Sequence, residues 1–490
     1  MAKRGNERPS IARAVEPTGL ETNLNILGLL SHPLDSCHPQ STRLDHGHRM
    51  RKLLPTPSIP PAAPCSAFME HVLYCRLFLR HIIANLCGSG MTITILKLLF
   101  DDFGGGLNDS APGALIPYIE KEYGIGYAVV SLIFVTNALG FILAAPCTHV
   151  LEARLGRAWT YSLSLLMVAI AHAAIIAKPP FAVVVSCFFF IGFGLAVSLA
   201  LNNVFCANLV NNTAALGGLH GAYGVGGTIS PLIATAISAS GIPWSIFYVI
   251  PLAVGLINIV FSVWSFRDYE KDLSVHQPPT ARQVSPQHSA QSTGAHRDHA
   301  LKKAIKNRVT LLGALFIFAY QGAEVSISGW AVSFLVAYRG GEIAKVGYIS
   351  TGFWAGISLG RFLLSHPAQK LGRKVSTAGL IAGSAFFQLL VWLVPNIVGD
   401  AIALAIVGLL LGPIYPCATA VFATLLPRGI QLSSLGFVSA MGSSGGAVAP
   451  FFTGLLAQNL GTVVLHPICI MLYAVMLVSW VFLPKIRKED

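Results

Sequence analysis

The sequence predicts an all-α, polytopic membrane protein with twelve transmembrane helices in two parallel six-helix halves. Three observations carry that reading. The 490 residues are 54% hydrophobic and only 11% charged, with a mean hydropathy of +0.64, whereas a water-facing domain carries about 25% charged residues. From residue 93 onward the chain is a succession of apolar runs of about 20 residues, the length that crosses a hydrocarbon core of ~30 Å. These runs do not alternate in the way β-barrel strands do. Finally, features of the first half return 216 residues later in the second.

Taken in order, residues 1–92 are rich in Pro, His, Ser and Arg and read as a disordered cytoplasmic region. Within them 67–86 is apolar but interrupted by Glu70, His71, Arg76, Arg80 and His81, which suits an amphipathic helix on the membrane surface. The start carries charge with no apolar core behind it, so no secretory signal is expected. Six spans follow at 93–119, 128–150, 158–178, 181–205, 217–239 and 243–265, making a first half of 93–266. Residues 267–308 are a polar linker. The second half, 309–484, holds spans at 309–337, 345–365, 375–394, 400–424, 432–457 and 463–483, and 485–490 form a tail. Cations gather in the linker, in the tail and in the loops at 154–157, 370–374 and 428, which places both termini in the cytoplasm.

Those loops account for the formal net charge of +12. No basic face on a soluble module suggests nucleic-acid binding. The nine cysteines are scattered without metal-ligand spacing, so packing roles are expected and neither metal nor cofactor. No Gly-x4-Gly-Lys-Ser/Thr loop is present, which disfavours ATP-driven pumping.

The repeat rests on four registrations. Gly106–Ile119 (GLNDSAPGALIPYI) lies over Gly322–Leu335 (GAEVSISGWAVSFL), and Gly156 of ARLGR lies over Gly372 of QKLGRK, both at 216. Gly226-Gly227 before Pro231 matches Gly445-Gly446 before Pro450 at 219. Gly192 and Gly194 precede Asn202-Asn203, as Gly408 and Gly412 precede Tyr415, at about 218 if Gly194 pairs with Gly412. Parallel six-helix halves with weak internal repetition are a transporter layout.

On these motifs residues 93–484 resemble the major facilitator superfamily. GLNDSAPGALIPYIEKEYGI, HGAYGVGGTISPL and QGAEVSISGWAVSFL further resemble fungal members akin to fucose permease-type sugar:proton symporters. The resemblance implies a secondary transporter working by alternating access, with a cytoplasmic loop motif after spans 2 and 8. Of that motif Arg154, Gly156 and Arg157 stand in the first loop and Lys370, Gly372 and Arg373 in the second. The acid position is Ala153, with Glu152 one place earlier, and Gln369 fills its counterpart. The resemblance to fucose permease-type proteins also implies a membrane carboxylate in span 4, but this span holds Asn202 and Asn203 and no acid, so that proton site does not carry over.

A carboxylate at membrane depth normally faces a protein interior or a water-filled cavity. Desolvation favours its neutral form, which suits reversible protonation. Asp109 is the first candidate for proton coupling; its bland alternative is an acid capping an unwound turn near Gly104–Gly106. Asn108 beside it offers donors and an acceptor to a hydroxyl-rich ligand. Glu324 falls under Asn108 in the repeat. Gln321, Trp330 and Trp354 make an amide-and-aromatic set suited to a sugar, although packing explains tryptophans equally. His220, Tyr223, Tyr415, Asn137, Asn202 and Asn203 complete the substrate or proton candidates; helix-to-helix hydrogen bonding is the simpler role for the asparagines. Arg361 is a gating candidate, and Gly226, Gly227, Gly445 and Gly446 are expected to allow close helix packing.

Asp101 and Asp102 align with Ile317 and Phe318. Adjacent residues lie ~100° apart on a helix, so both are not expected to face one cavity, and they read as a local distortion of span 1. The expected function is transport of a small polar solute, sugar-like, coupled to protons, by a monomer in the plasma membrane, with an internal membrane as the alternative location. A non-transporting sensor or scaffold on the same fold is the alternative. An intramembrane enzyme would need a nucleophile–base pair or metal cluster, and none is visible.

Overall fold

A bilayer offers the backbone no water, so a crossing segment must satisfy its own N–H and C=O groups, and the apolar runs become helices. The computed structural model describes residues 89–207, 209, 212–265 and 303–484. The expected N-terminal region up to 88, the surface helix at 67–86, most of the 267–308 linker and the 485–490 tail lie outside the described residues.

Span 1 is Ser89–Tyr123. After the short helix Tyr127–Val130, spans 2 and 3 form one helical stretch, Leu132–Ile176, divided at Gly156. Spans 4 and 5 are Phe181–Ala207 and Asn212–Ala239. Span 6 is a 3-10 turn, Trp244–Tyr248, leading into Val249–Ser265. Span 7 is Arg308–Ala337, span 8 is Ile349–Leu363 and span 9 is Arg373–Leu393. Span 10 comes in two pieces, Ile397–Leu411 and Ile414–Leu425, parted at Gly412-Pro413. Spans 11 and 12 are Arg428–Leu460 and Leu465–Val481. Among the described residues nine helices are long and apolar enough to cross a membrane, one of them (127–176) holding two spans. Span 8, at 15 residues, and span 1, with its buried charges, stand outside that tally.

Local chemistry sets the ends. Asn307 caps span 7 by accepting from the N–H groups of Val309 and Thr310 at 2.9 and 3.2 Å, and Asn396 caps span 10 the same way. Gly156 and Gly372 have φ of 75° and 97°, a region that favours glycine; both turn the chain between consecutive spans. Large apolar side chains such as Ile170, Val260, Val398 and Val481 are exposed on the outside, a surface that lipid tails would cover.

Close contacts fix the register of the repeat. A Cβ on Gly192 would lie 2.8 Å from the Asn137 carbonyl carbon, and one on Gly408 would lie 3.0 Å from that of Phe353. Both members of each pair are 216 apart. The counterpart of Gly192 is therefore Gly408, not Gly412 to Gly194 at 218 as expected, and Asn202 corresponds to Ala418. Gly226 packs on the Phe103 carbonyl of span 1, and Gly445 packs on the Phe318 carbonyl of span 7. Gly227 lies against the Trp354 ring and Gly446 against Val325. All four glycines thus sit where helices touch.

The first six and last six helices meet along two seams. Span 5 runs down span 8: Gly221 faces Phe362, Gly224 faces Ser358, Gly227 faces Trp354, and Thr235 faces Gly347 just before span 8. Spans 1 and 2 pack tightly on spans 7 and 11 at the end away from Gly156 and Gly372. There Gly113 packs on the Ser328 backbone, Phe134 on Gly329, and Gly454 on Tyr127 and Ser131. We call this end the sealed face and the end bearing Gly156 and Gly372 the loop face. Toward the loop face His220, Ser439 and Ala440 are exposed.

Candidate functional site

Where the two sets of helices meet, span 1 contributes Asn108 and Asp109. The helix is continuous through Gly104–Gly106, so Asp109 does not cap an unwound turn. Asp109 Oδ1 accepts from Asn108 Nδ2 at 3.3 Å, and Oδ2 accepts from the Tyr223 hydroxyl of span 5 at 2.9 Å. The Asn108 amide oxygen meets His172 Nε2 of span 3 at 3.2 Å. From span 7, Glu324 is close enough to Asp109 to interact with it electrostatically. Glu324 is 6% exposed, and its Oε2 has no hydrogen-bond partner among the described residues. Arg361 of span 8, half-buried, has Tyr320, Glu324 and Tyr223 as electrostatic neighbours. Tyr415 packs against Tyr320 with ring centroids 5.7 Å apart. Trp354 packs against Tyr223 at 6.2 Å and donates through Nε1 to Ser328 Oγ at 2.9 Å. Two carboxylates, one guanidinium and three tyrosines from spans 1, 5, 7, 8 and 10 therefore share one polar centre. Such a centre can accept hydrogen bonds from hydroxyls and exchange protons.

The other expected residues fall elsewhere. Trp330 is fully buried in the sealed face, against Tyr127 and Phe134, with Nε1 donating to the Pro450 carbonyl at 2.9 Å. It holds the seal and presents no free face to a solute. His220 is exposed, with Arg361 as its electrostatic neighbour. Gln321 packs against Gly442 of span 11. Asn137 lies against Gly192, and its Oδ1 is buried without a partner among the described residues. Asn203 is half-buried and joins neither polar cluster. In the loop motif Arg157 pairs with Glu152 at 2.8 Å, so the acid one place early takes the arginine. Arg154 and Lys370 are exposed, and Arg373 is half-buried at the start of span 9. The side chain of Gln369 lies outside the described residues.

Asn202 is the clearest correction. It lies inside the first six helices, where its Nδ2 donates to Asp101 Oδ2 at 2.8 Å and to Asp102 Oδ1 at 2.9 Å. Asp101 and Asp102 are each 4% exposed, on an unbroken helix. They mark no distortion. Adjacent acids diverge around span 1, but one amide from a facing helix reaches both.

Sequence reasoning missed His172, Tyr320 and Arg339. His172 is fully buried beside Tyr248, with ring centroids 5.6 Å apart. Its counterpart at 216 is Gln388, which hydrogen-bonds His466 at 2.8 Å, so the repeat held the signal. Arg339 at the sealed face bonds Asp400 at 3.1 Å and the carbonyls of Val391, Trp392 and Val394. A surface pocket of about 380 Å³ lies beside it, lined by Tyr338, Arg339 and residues 395–398. Neither Asp109 nor Glu324 lines it.

The family model described as Major Facilitator Superfamily matches residues 103–399. "Bypass of stop codon protein 6" of Saccharomyces cerevisiae is 26% identical over 405 residues, covering 78% of this chain and 80% of that protein. "Multidrug resistance protein MdtG" of Salmonella paratyphi B is 31% identical over 150 residues, covering 29% of this chain and 34% of its own length. Among solved structures, nucleoside transporter NupG (D323A mutant) aligns with TM-score 0.61 and 14% identity over 79% of this chain and 98% of its own. A D-xylose-proton symporter aligns with TM-score 0.62 and 12% identity over 81% and 97%. With twelve crossings, a 216-residue repeat and a family match over more than half its length, the chain belongs to the Major Facilitator Superfamily, multi-pass membrane transporters rather than enzymes.

Proposed function

We propose that this transporter carries a small polar, sugar-like solute and couples it to protons through Asp109 and Glu324. The observation that carries the reading is the polar centre itself. Asp109 and Glu324 come from the first spans of the two halves, 93–266 and 309–484, and interact where those halves meet. A carboxylate removed from water favours its neutral form until a partner or ligand restores its charge. Tyr223 and Asn108 already hydrogen-bond Asp109, so a solute hydroxyl that recruits either one alters the balance. Trp354, Tyr223 and Tyr415 supply aromatic faces next to these polar groups, the pairing that a sugar ring needs. The narrower likeness to fucose permease-type symporters agrees with this chemistry.

Closure at one face with exposed residues at the other corresponds to one endpoint of alternating access. Cation-rich loops assign the loop face to the cytoplasm, with both termini there, in a monomer of the plasma membrane. Radiolabelled uptake into proteoliposomes, using a panel of sugars and related hydroxylated solutes, tests this. A proton gradient is expected to stimulate uptake, and Asp109→Asn or Glu324→Gln to abolish the stimulation. Flux that ignores the gradient and survives both substitutions sinks the coupling. Solute binding without flux favours a sensor.

A further inference from the structure

The charged cluster inside the first six helices lies outside the polar centre and has no role in the solute reading. Span 1 supplies Lys97, Asp101 and Asp102, span 3 Tyr161, span 4 Asn202 and span 6 Asn258, each at least 96% buried. Lys97 Nζ lies 3.9 Å from Asp101 Oδ2 and 3.4 Å from the centre of the Tyr161 ring. The Tyr161 hydroxyl donates to Asn202 Oδ1, and Asn258 Nδ2 donates to Asp101 Oδ1 at 3.4 Å. Arg157, one turn before Tyr161, and Cys206 on span 4 are the remaining titratable neighbours.

The fold does not require charge here. At the repeat positions of the second half stand Gly313, Ile317, Phe318, Thr377 and Ala418, none of them ionisable. Burying an ion costs several kcal/mol even after relaxation, so at these positions the first half carries a penalty that the second half avoids. Among the described residues Lys97, Asp101 and Asp102 are the charged groups within this cluster, and Arg157 at its edge pairs with Glu152. Asp102 Oδ2 and Asn258 Oδ1 are buried without hydrogen-bond partners among the described residues, and so is Ser262 Oγ one turn along span 6. Farther on, Ser265 Oγ meets Thr94 Oγ1 at 2.5 Å at the loop-face ends of spans 6 and 1. Asn258, Ser262 and Ser265 share one face of span 6. They make a polar seam from the loop face toward Asp101 and Asp102 that stays within the first six helices.

We propose that Asp102 is a proton-binding site separate from Asp109 and Glu324, supplied from the loop face along the seam between spans 1 and 6. A hydronium ion gives its proton to the Asp102 carboxylate, its own O–H bond breaking as the new one forms, and leaves as water; the charge of Asp102 is removed while Lys97 and Asp101 stay paired. Asn202 already fills the space between the two carboxylates with its amide, which suits a proton rather than a metal cation.

Infrared difference spectroscopy on the full-length protein in lipid tests this after a pH step. Wild type is expected to show a protonated-carboxyl C=O band that disappears on alkalinisation. Asp102→Asn, nearly isosteric, should lose the band, and the Asp109→Asn/Glu324→Gln double variant should keep it. That double variant separates this site from the coupling reading, since either can fail alone. Ser262→Ala should slow the band's decay about tenfold, corresponding to about 1.4 kcal/mol on the transfer barrier. A band that survives Asp102→Asn, or its absence from wild type, overturns the site. An unchanged rate in Ser262→Ala overturns the seam. Loss of the band on adding Na⁺ at constant pH would make this a metal-cation site and overturn the proton.

Discussion

Gly113→Ala should open the sealed face. An alanine Cβ there would lie 2.9 Å from the Ser328 carbonyl carbon, 3.5 Å from Gly329 Cα, and far inside the contact radius of the Ser328 carbonyl oxygen. The obstacle is backbone, so no rotamer change relieves it, and spans 1 and 7 must separate. Overpacking of this kind costs about 1–3 kcal/mol. The contact joins the two sets of helices, so this strain falls on the sealed state and not on any arrangement in which the spans part. A bias of that size shifts a two-state equilibrium about 5–150-fold. The assay is labelling of Ser131→Cys by a membrane-impermeant maleimide, since Ser131 is fully buried at the seal beside Gly454. Labelling should accelerate within that range in Gly113→Ala. Gly226→Ala is the matched control: its Cβ would lie 3.0 Å from the Phe103 carbonyl carbon, an equal insult within the first six helices. It should lower thermal stability and leave the labelling rate alone. If Gly113→Ala lowers thermal stability but leaves Ser131→Cys protected, the contact is static core and the argument for a moving seal fails.

Two further outcomes concern buried polar pairs. Arg339→Ala strands Asp400, whose side chain is 1% exposed, and should cost about 3–5 kcal/mol of stability; thermal unfolding of Arg339→Ala/Asp400→Asn should recover most of it. His172→Gln installs the residue found at the equivalent position 388 and should keep the bond to Asn108 with uptake nearly unchanged. His172→Leu leaves the buried Asn108 oxygen without that donor and should cost about 1–3 kcal/mol, read as a fall in melting temperature.

The helices were legible because hydropathy reports the solvent around a span directly, and the repeat because its glycines sit where backbones touch. Gly226 and Gly445 are invisible to hydropathy yet mark the same helix contact twice. The break of span 10 at Gly412-Pro413 follows from proline's missing N–H. The site was legible only in part. Asp109 and Glu324 stood out as acids at membrane depth, while Tyr223 and Trp354 stood among the wider candidates with nothing to tie them to those acids. Trp330 and Asn202 carry the same residue-level signal as those four, but their positions depend on which face of a span meets which neighbour, and a single-sequence reading does not supply that. His172 was recoverable: the 216 offset sets one imidazole or amide side chain over another, Gln388, in two spans whose other polar groups, away from the ends, are hydroxyls.

Asp101 and Asp102 show why the one-helix argument failed. The ~100° separation of neighbours on a helix excludes a shared direction but not a shared partner. Asn202 presents one amide between two carboxylates, so the geometry that seemed to forbid a joint role becomes the one that an intervening side chain requires. The repeat then reverses its meaning at this place. Elsewhere agreement between the halves identifies what the fold needs, as with Gly192 and Gly408. Here disagreement does the identifying: Ile317, Phe318 and Ala418 show that the same packing closes without charge. A buried ammonium and two buried carboxylates at positions that are uncharged in the other half are therefore set apart from the architecture, and they lie on the span that also carries Asp109. Span 1 thus bears two separate acidic levels, one facing the second half and one enclosed within the first. A proton arriving at the enclosed level alters the charge on the helix that presents the other, without passing through the space where the halves meet.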